Sequence, residues 1–583
     1  MAGPLPQPTL NSLAGVDARL LAIDKLEELV EEVVREKARH RSNIALKRAV
    51  RTWRKGDIVR AGQWALKATE ADDTSSKAFH VLAMALERMG HLHKALITYE
   101  RAFELDREDP ELLINLGLTA WHLKLTEGAI KMFRLYVSSC PESPLGYNNL
   151  GSCLADMGQV EEAIETLRVA LYRMPEEAML WNSLATVLAE NNRADESLIF
   201  YEEAARLAPN FARAYHNLGY AYQHISQLDK ALIAYDKALE LVVDPAERIE
   251  TLHSRSICLI GLGRVEEGFR EYEIRNNERF RCYFHHMMDS PRWHGEDVRG
   301  KKLLLVGEQG LGDEIMFSNI VPDAYEAVGE EGKLQICVDP RLIPLYQRTY
   351  PKAELGTYDD RTLIDDNGNK ALRLIPFASK ANKPDFWAPM GSAVQYYRKS
   401  LSDFPRKPFL TADPARVAVF KEKMAALPGK KVGICWRSMM IGGKRGKYFT
   451  AIDSWGGILQ TPGITFVSLQ YGDSGPDIAR AKEKFGVEIH QVEGLDLKDD
   501  IDGTAALSLA VDLVLSSPTA AAHTAASVGA EVWFLAVGSG WPQLATSEYP
   551  WHANTRVYCP EKFGDWDEVL PRFAADFAAY AAS

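Results

Sequence analysis

The sequence predicts an all-helical repeat solenoid followed by an α/β half built on parallel strands. Two observations carry this. Small and bulky residues recur every 34 positions across residues 42–275, a spacing that belongs to stacked helix pairs. From residue 301 onward, short apolar runs end in glycine or Ser/Thr turns that open helices, the wiring of strands joined by crossovers. At 583 residues the chain should hold more than one domain. The pattern divides it into an N-terminal helix and tail (1–41), the solenoid (42–275), a connector (276–300), a first lobe (301–410) and a second lobe with a closing helix (411–583).

Composition narrows the function classes. Hydrophobic content of 46% and charged content of 25% fit an ordinary globular protein. Lys+Arg 68 against Asp+Glu 80 leaves −12, which argues against nucleic acid or an anionic membrane as the main partner. No apolar run approaches the ~20 residues that span a bilayer. The start, MAGPLPQPTLNSLAG, lacks the basic region and apolar core of a signal peptide. Seven cysteines are scattered without a CxxC pair and read as small apolar residues in a reducing compartment. A cytoplasmic location is the expectation.

Residues 1–15 are Pro-rich. Residues 17–41 show helical periodicity under a dense charge coat, with Leu26, Leu29, Val30, Val33 and Val34 on one stripe, as in a capping or dimerising helix. Then come the repeat columns. One is Ala49, Ala83, Gly117, Gly151, Ala185, Gly219; a second is Ala61, Ala95, Ala129, Ala163, Ser197, Ala231; a third is Ala68, Ala102, Tyr136, Ala170, Ala204, Ala238. Between the last two runs a bulky column: Tyr99, Phe133, Leu167, Tyr201, Tyr235. Small residues are required where antiparallel helices cross closely, bulky ones where pairs stack. This is the tetratricopeptide pattern, in about seven units. At one phase stand Asn115, Asn149, Ser183 and Asn217, and beside them Asn148, Asn182 and His216. Asn donates and accepts at once, so such a row can grip an extended peptide backbone, or bond within the array.

In the connector, His285-His286 could suggest metal, but adjacent side chains diverge and a shared ion is not expected. Residues 301–315 (KKLLLVGEQGLGDEI) read as strand, glycine turn and helix start; Glu308, Gln309, Gly310 and Gly312 form the turn. Such a turn builds a ligand site at the carboxyl end of a sheet, although GxxGxG is not the dinucleotide spacing. Runs at 334–338, 372–375, 431–436, 464–469, 487–490, 511–515 and 532–537 read as further strands. Residues 405–414 form a Pro-marked break, a hinge between lobes. Strand 431–436 runs into a basic glycine loop with Arg437, Lys444, Arg445 and Lys447. Thr519, Ala520 and Ala521 begin a small-residue helix whose N–H groups could meet a phosphate, or which could be a capped core helix. Residues 565–580 form a closing amphipathic helix.

PRWHGEDVRGKKLLLVGEQGLGDEIMFSN (291–319) resembles the catalytic half of bacterial TPR-fused glycosyltransferases related to the heptosyltransferases. KVGICWRS (431–438), TFVSLQYGD (465–473), residues 502–533 and residues 549–566 follow that family in the same order. The resemblance implies a GT-B architecture of two Rossmann-like lobes, with a nucleotide-sugar co-substrate in the second. It also implies a protein O-glycosyltransferase similar to those that modify flagellin with pseudaminic acid carried on CMP. His523-Thr524-Ala525 and Gly538–Pro542 depart from the family pattern and put the usual donor in doubt.

Under that resemblance Asp313 is the candidate base, with capping of its own helix as the alternative. His523 would meet the phosphate or the sugar, Lys444, Arg445 and Lys447 would neutralise the leaving phosphate, and Gln470 and Glu548 would touch the nucleotide. Asp500-Ile501-Asp502 spells DxD but reads as a turn and helix cap, so neither metal nor cofactor is expected. The implied acceptor is a protein, flagellin first, with homodimerisation as an option and no nucleic-acid or membrane partner. The alternatives are a glycolipid or polysaccharide transferase and a non-catalytic TPR adaptor with a degenerate catalytic half.

Overall fold

The computed structural model describes residues 10–191, 193–280, 284–308, 310–365, 368–439, 448–538 and 540–583. Gln309, Lys444, Arg445 and Lys447 lie outside the described residues. Two compact units divide the chain: Met1–Val187 with Ile364–Gly368, and Leu188–Leu363 with Asn369–Ser583. An N-terminal all-helical repeat array is followed by a region of β-sheets. Among the described residues no helix is long and apolar enough to cross a membrane.

The first unit opens with a single helix, Leu10–Arg54, which runs past residue 41 and packs its last turns on the helix Ile58–Ala71. Antiparallel helix pairs follow, and their starts are sealed where the chain supplies an oxygen. Asp57 accepts from the Arg60 N–H, Ser75 from Ala78 and Asp109 from Glu111. The repeat columns are steric in origin. A Cβ on Gly117 would sit 2.6 Å from the Phe133 ring, and one on Gly151 would sit 2.8 Å from Leu167. The small column therefore exists to admit the bulky one. Ala61, Ala95, Ala129 and Ala163 are fully buried at the second crossing.

The second unit begins inside the repeats, and the same contact recurs there between Gly219 and Tyr235. After the helix Val265–Tyr272 the chain enters its strands: β1 (Phe284–His286), β2 (Lys302–Val306), β3 (Lys333–Val338), β4 (Glu354–Thr357), β5 (Asp359–Asp365), β6 (Gly368–Leu374) and β7 (Phe386–Pro389). One sheet has the order β4-β3-β2-β7 with every pair parallel. A smaller sheet has the order β1-β6-β5. The remaining strands are β8 (Lys430–Cys435), β9 (Ile464–Ser468), β10 (Ile489–His490), β11 (Leu513–Ser516), β12 (Val532–Leu535) and β13 (Thr555–Tyr558). They form a six-stranded sheet, β10-β9-β8-β11-β12-β13, again parallel throughout. Its order reverses between β8 and β11, and at such a reversal a parallel sheet opens a crevice at its carboxyl edge.

A large apolar core joins the last repeat to both parallel sheets, with separate smaller clusters on the sheets' other faces. Ile260, Val265 and Phe269 of the last repeat join Leu303 and Leu305 of β2, Val514 of β11 and Trp551 in a single cluster. Aromatic rings fill the junction: Phe269 meets Trp551 at 5.8 Å, Phe317 stacks on Trp541 at 5.8 Å, and Phe404 meets Trp551 edge-on at 4.9 Å. The segment 405–414, expected as a hinge, is pinned. The N–H groups of Phe409 and Leu410 donate to the Ser527 carbonyl at 3.0 and 3.1 Å, and the Tyr350 hydroxyl donates to the Phe409 carbonyl at 2.6 Å. Strands β1, β4, β5, β7 and β13 carry too little apolar periodicity to be read from sequence.

Gly117→Ala should cost about 1–3 kcal/mol through overpacking against Phe133, and Trp551→Ala about 3–5 kcal/mol through the cavity it leaves. Urea denaturation followed by circular dichroism reads both.

Candidate functional site

The carboxyl ends of β2 and β11 face each other across a cleft of about 390 Å³. Gly310, Gly312 and Asp313 line it from the first sheet, and Thr519, Ala520, Ala521 and His523 from the second; Arg341, Tyr471 and Lys498 complete the wall. Gly310, at φ 97°, turns the chain through the left-handed region into the helix Leu311–Phe317. Gly312 faces the second sheet, and a Cβ there would make ordinary contact, 3.4 Å from His523 Cδ2 and 3.6 Å from the Ala520 nitrogen. Asp313 also lines a second cavity of about 240 Å³, shared with Tyr272, Arg275, Glu308 and Arg373.

Beneath the glycine turn lies a buried charged layer. Arg275 donates to Glu308 at 2.8 Å and lies 4.4 Å over the Tyr272 ring, while the Gly391 N–H donates to Glu308 at 2.7 Å. Burial works against the Glu308 carboxylate, but the Arg275 guanidinium outweighs it and holds the group below the usual range. Burial pushes Glu314 up to about 8, opposed by the Tyr358 hydroxyl at 2.7 Å and the Asp339 N–H at 2.8 Å. Arg373 lies 3.7 Å over Tyr358, pairs with Asp360 at 2.7 Å and donates to the Gly307 carbonyl at 2.5 Å. Glu308 is thus committed to an internal ion pair.

His523 is brought to the cleft as expected, but in a neutral form. Its Nδ1 lies 3.0 Å from His552 Nε2, and burial lowers it to about 4 while holding His552 well below its ordinary value. His552 Nδ1 is buried with no partner. An unpaired lone pair is tolerated better there than an unpaired N–H, so His552 Nε2 donates and His523 keeps its hydrogen on Nε2. Thr519 accepts from the Ala522 N–H at 3.4 Å and caps the helix Ala520–Ser527.

Other predicted residues do not reach the cleft. The buried Gln470 accepts from the Trp436 and Arg437 N–H groups at 3.1 Å and donates to the Arg437 carbonyl at 2.8 Å. Arg437 pairs with Asp477 at 2.8 Å, and Glu548 with Arg406 at 2.8 Å. Asp500 caps the helix Ile501–Ser508, accepting from Gly503 at 2.8 Å, and Asp502 holds Arg348 at 2.8 Å. In the array, Asn149 and Asn182 are buried, and Asn115, Asn148 and Asn217 are half-buried. Asn115 bonds to His80 at 3.0 Å, and Ser183 donates to Asn148. Sequence reading missed Arg275, Glu314, Arg341, Arg373, Lys498 and His552. Glu314, Arg373 and His552 stood within stretches already singled out (301–315, 372–375 and 549–566) but carried no signal of their own.

The neutral histidines set a pH dependence. Their folded-state values lie below the unfolded 6.5, so the unfolded chain binds more protons and stability falls as pH drops from about 6.5 towards 4. Each should contribute a slope of about 1.4 kcal/mol per pH unit in that window. Urea midpoints measured against pH should show a shallower slope for His523→Gln/His552→Gln.

The tetratricopeptide repeat family matches residues 80–144, 148–210 and 200–233. Among solved structures, YrrB, "a TPR protein with an unusual peptide-binding site", is 23% identical over 33% of this chain and 98% of its own, with a TM-score of 0.25. A thermophilic TPR protein of Thermus thermophilus is 25% identical over 31% of this chain and 98% of its own, with a TM-score of 0.28. Protein FlbA of Caulobacter vibrioides is 37% identical over 572 residues, 98% of this chain and 94% of its own. Neither match is to a glycosyltransferase family. That overturns the resemblance to TPR-fused glycosyltransferases and, with it, sugar transfer to flagellin, the pseudaminic acid donor and the assignment as an enzyme. The physical reason is that a glycine turn after a buried strand and a Thr-capped helix also serve simply to connect parallel strands, and that Arg437, Gln470 and Glu308 are committed to internal bonds. With 37% identity running over 98% of its length, the chain belongs to the family of Protein FlbA.

Proposed function

We propose that this protein is a non-catalytic scaffold whose repeat array holds an extended segment of a partner protein. In this reading the α/β half forms two Rossmann-like lobes in a GT-B arrangement that serve as a rigid platform. The observation that carries the reading is a recurring polar bond between the first helices of successive pairs. His80 meets Asn115 at 3.0 Å, Ser183 meets Asn148, and His216 meets Thr251 at 3.0 Å. Each joins a residue to one 35 positions later, so the bonds fix amide and hydroxyl groups at one phase within the first unit, and the second unit repeats the spacing by itself. Within the first unit, half-buried Asn115 and Asn148 offer the donor and acceptor positions left over by these bonds to a partner backbone. Asp313 and His523 contribute shape to the cleft rather than proton transfer.

A photo-crosslinker at Asn148 in the full chain should capture a protein in cells, and one at Tyr172, 92% exposed, should not. Asn115→Ala combined with Asn182→Ala should reduce capture at least about fivefold, whereas Asp313→Asn should leave it unchanged. Loss of capture on Asp313→Asn would sink the scaffold reading, as would a sugar-modified partner that requires this chain.

A further inference from the structure

Among the described side chains of the helix Leu10–Arg54, those near its C-terminal end are packed. Ser42, Ala45 and Ala49 are buried, yet from residue 28 to 41 every residue is exposed except the half-buried Ala38. Within that span Leu29, Val30, Val33 and Val34 form one stripe, and their exposures are 59%, 56%, 47% and 60%. Helices draw most of their stability from burying an apolar face, and four neighbouring aliphatic side chains on an otherwise charged helix mark an association surface.

We infer that this stripe pairs two copies of the chain as an antiparallel, two-fold helix dimer. The charges decide the partner and its direction. Glu28, Glu31 and Glu32 precede Val33, and Arg35, Lys37, Arg39 and Arg41 follow Val34, with Glu36 the one acidic residue among them. One internal pair, Arg35–Glu31 at 3.0 Å, is more than two-thirds exposed and contributes little. A parallel copy sets acid against acid and base against base. An antiparallel copy crossing between Val33 and Val34 sets Glu28 opposite Arg39 and Glu32 opposite Arg35, with Val33 against Val34 of the second copy, and leaves Glu31 opposite Glu36 as the one like-charged pair in residues 28–39. The aliphatic stem of Lys37 then covers Val30. A two-fold axis makes every such contact twice, so the surface is complementary to itself.

Sedimentation equilibrium of the full chain should give a dimer at low micromolar concentration. Val30→Glu/Val33→Glu should give a monomer with unchanged helical circular dichroism, since both side chains face solvent in one copy. Glu28→Arg/Glu32→Arg and Arg35→Glu/Arg39→Glu should each weaken the homodimer at least about tenfold, and mixing the two variants should restore pairing. Spin labels at Arg41 should lie more than about 20 Å apart, given a 1.5 Å rise per residue. A monomeric parent, a dimer that survives Val30→Glu/Val33→Glu, or labels about 10 Å apart would each overturn the assignment.

Discussion

The second unit depends on one shared apolar core. Phe269 from the last repeat, Phe317 and Phe404 beside the first sheet, and Trp541 and Trp551 beyond the second meet in a single cluster of rings. None of these elements can bury its aromatic face alone, so the final repeat is structurally part of the α/β region. The loop reaching this cluster is shaped accordingly. Leu544 and Ala545 both take positive φ, 50° and 62°, where the Leu544 carbonyl meets the space beside Gly263. Non-glycine residues hold such angles only where surrounding packing over-determines them.

Around this core the charged groups are arranged for internal satisfaction. Arg275 with Glu308 and Arg373 with Asp360 are ion pairs in partly or fully buried settings, and each guanidinium also lies over an aromatic ring. Removing one partner of such a pair leaves an uncompensated buried charge, a far larger penalty than the pair's net contribution. The layer therefore fixes the glycine turn of β2 in place and, through it, the position of Asp313 at the mouth of the cleft. His523 and His552 do the same from the opposite sheet in neutral form. The cleft is well formed, with its walls set by structural groups.

This explains why residue patterns suggested chemistry. A buried strand followed by a glycine turn, a strand followed by a Thr-capped small-residue helix, and a DxD beside a helix start are the local solutions for connecting parallel strands. The structure shows each in that role: Gly310 turning, Thr519 capping and Asp500 capping. Such motifs report the geometry of a sheet edge before they report a reaction.

Periodicity was legible in the sequence because it is enforced locally. The Gly117–Phe133 and Gly151–Leu167 contacts join residues 16 apart, so each repeat writes its own packing rule into the column pattern. The parallel strands β2, β3, β8, β9, β11 and β12 were equally visible, since burial on both faces demands continuous apolar runs. What the tertiary structure alone decided are the pairings between distant residues: Arg275 with Glu308, Arg348 with Asp502, Asn319 with the Trp551 carbonyl, and His523 with His552. No local spacing encodes these, because their distances are set by how separate sheets and helices share one core. The sequence by itself determined the repeat array and the parallel-strand runs; the fate of each polar side chain, cleft wall or internal pair, was settled only when the chain closed on itself.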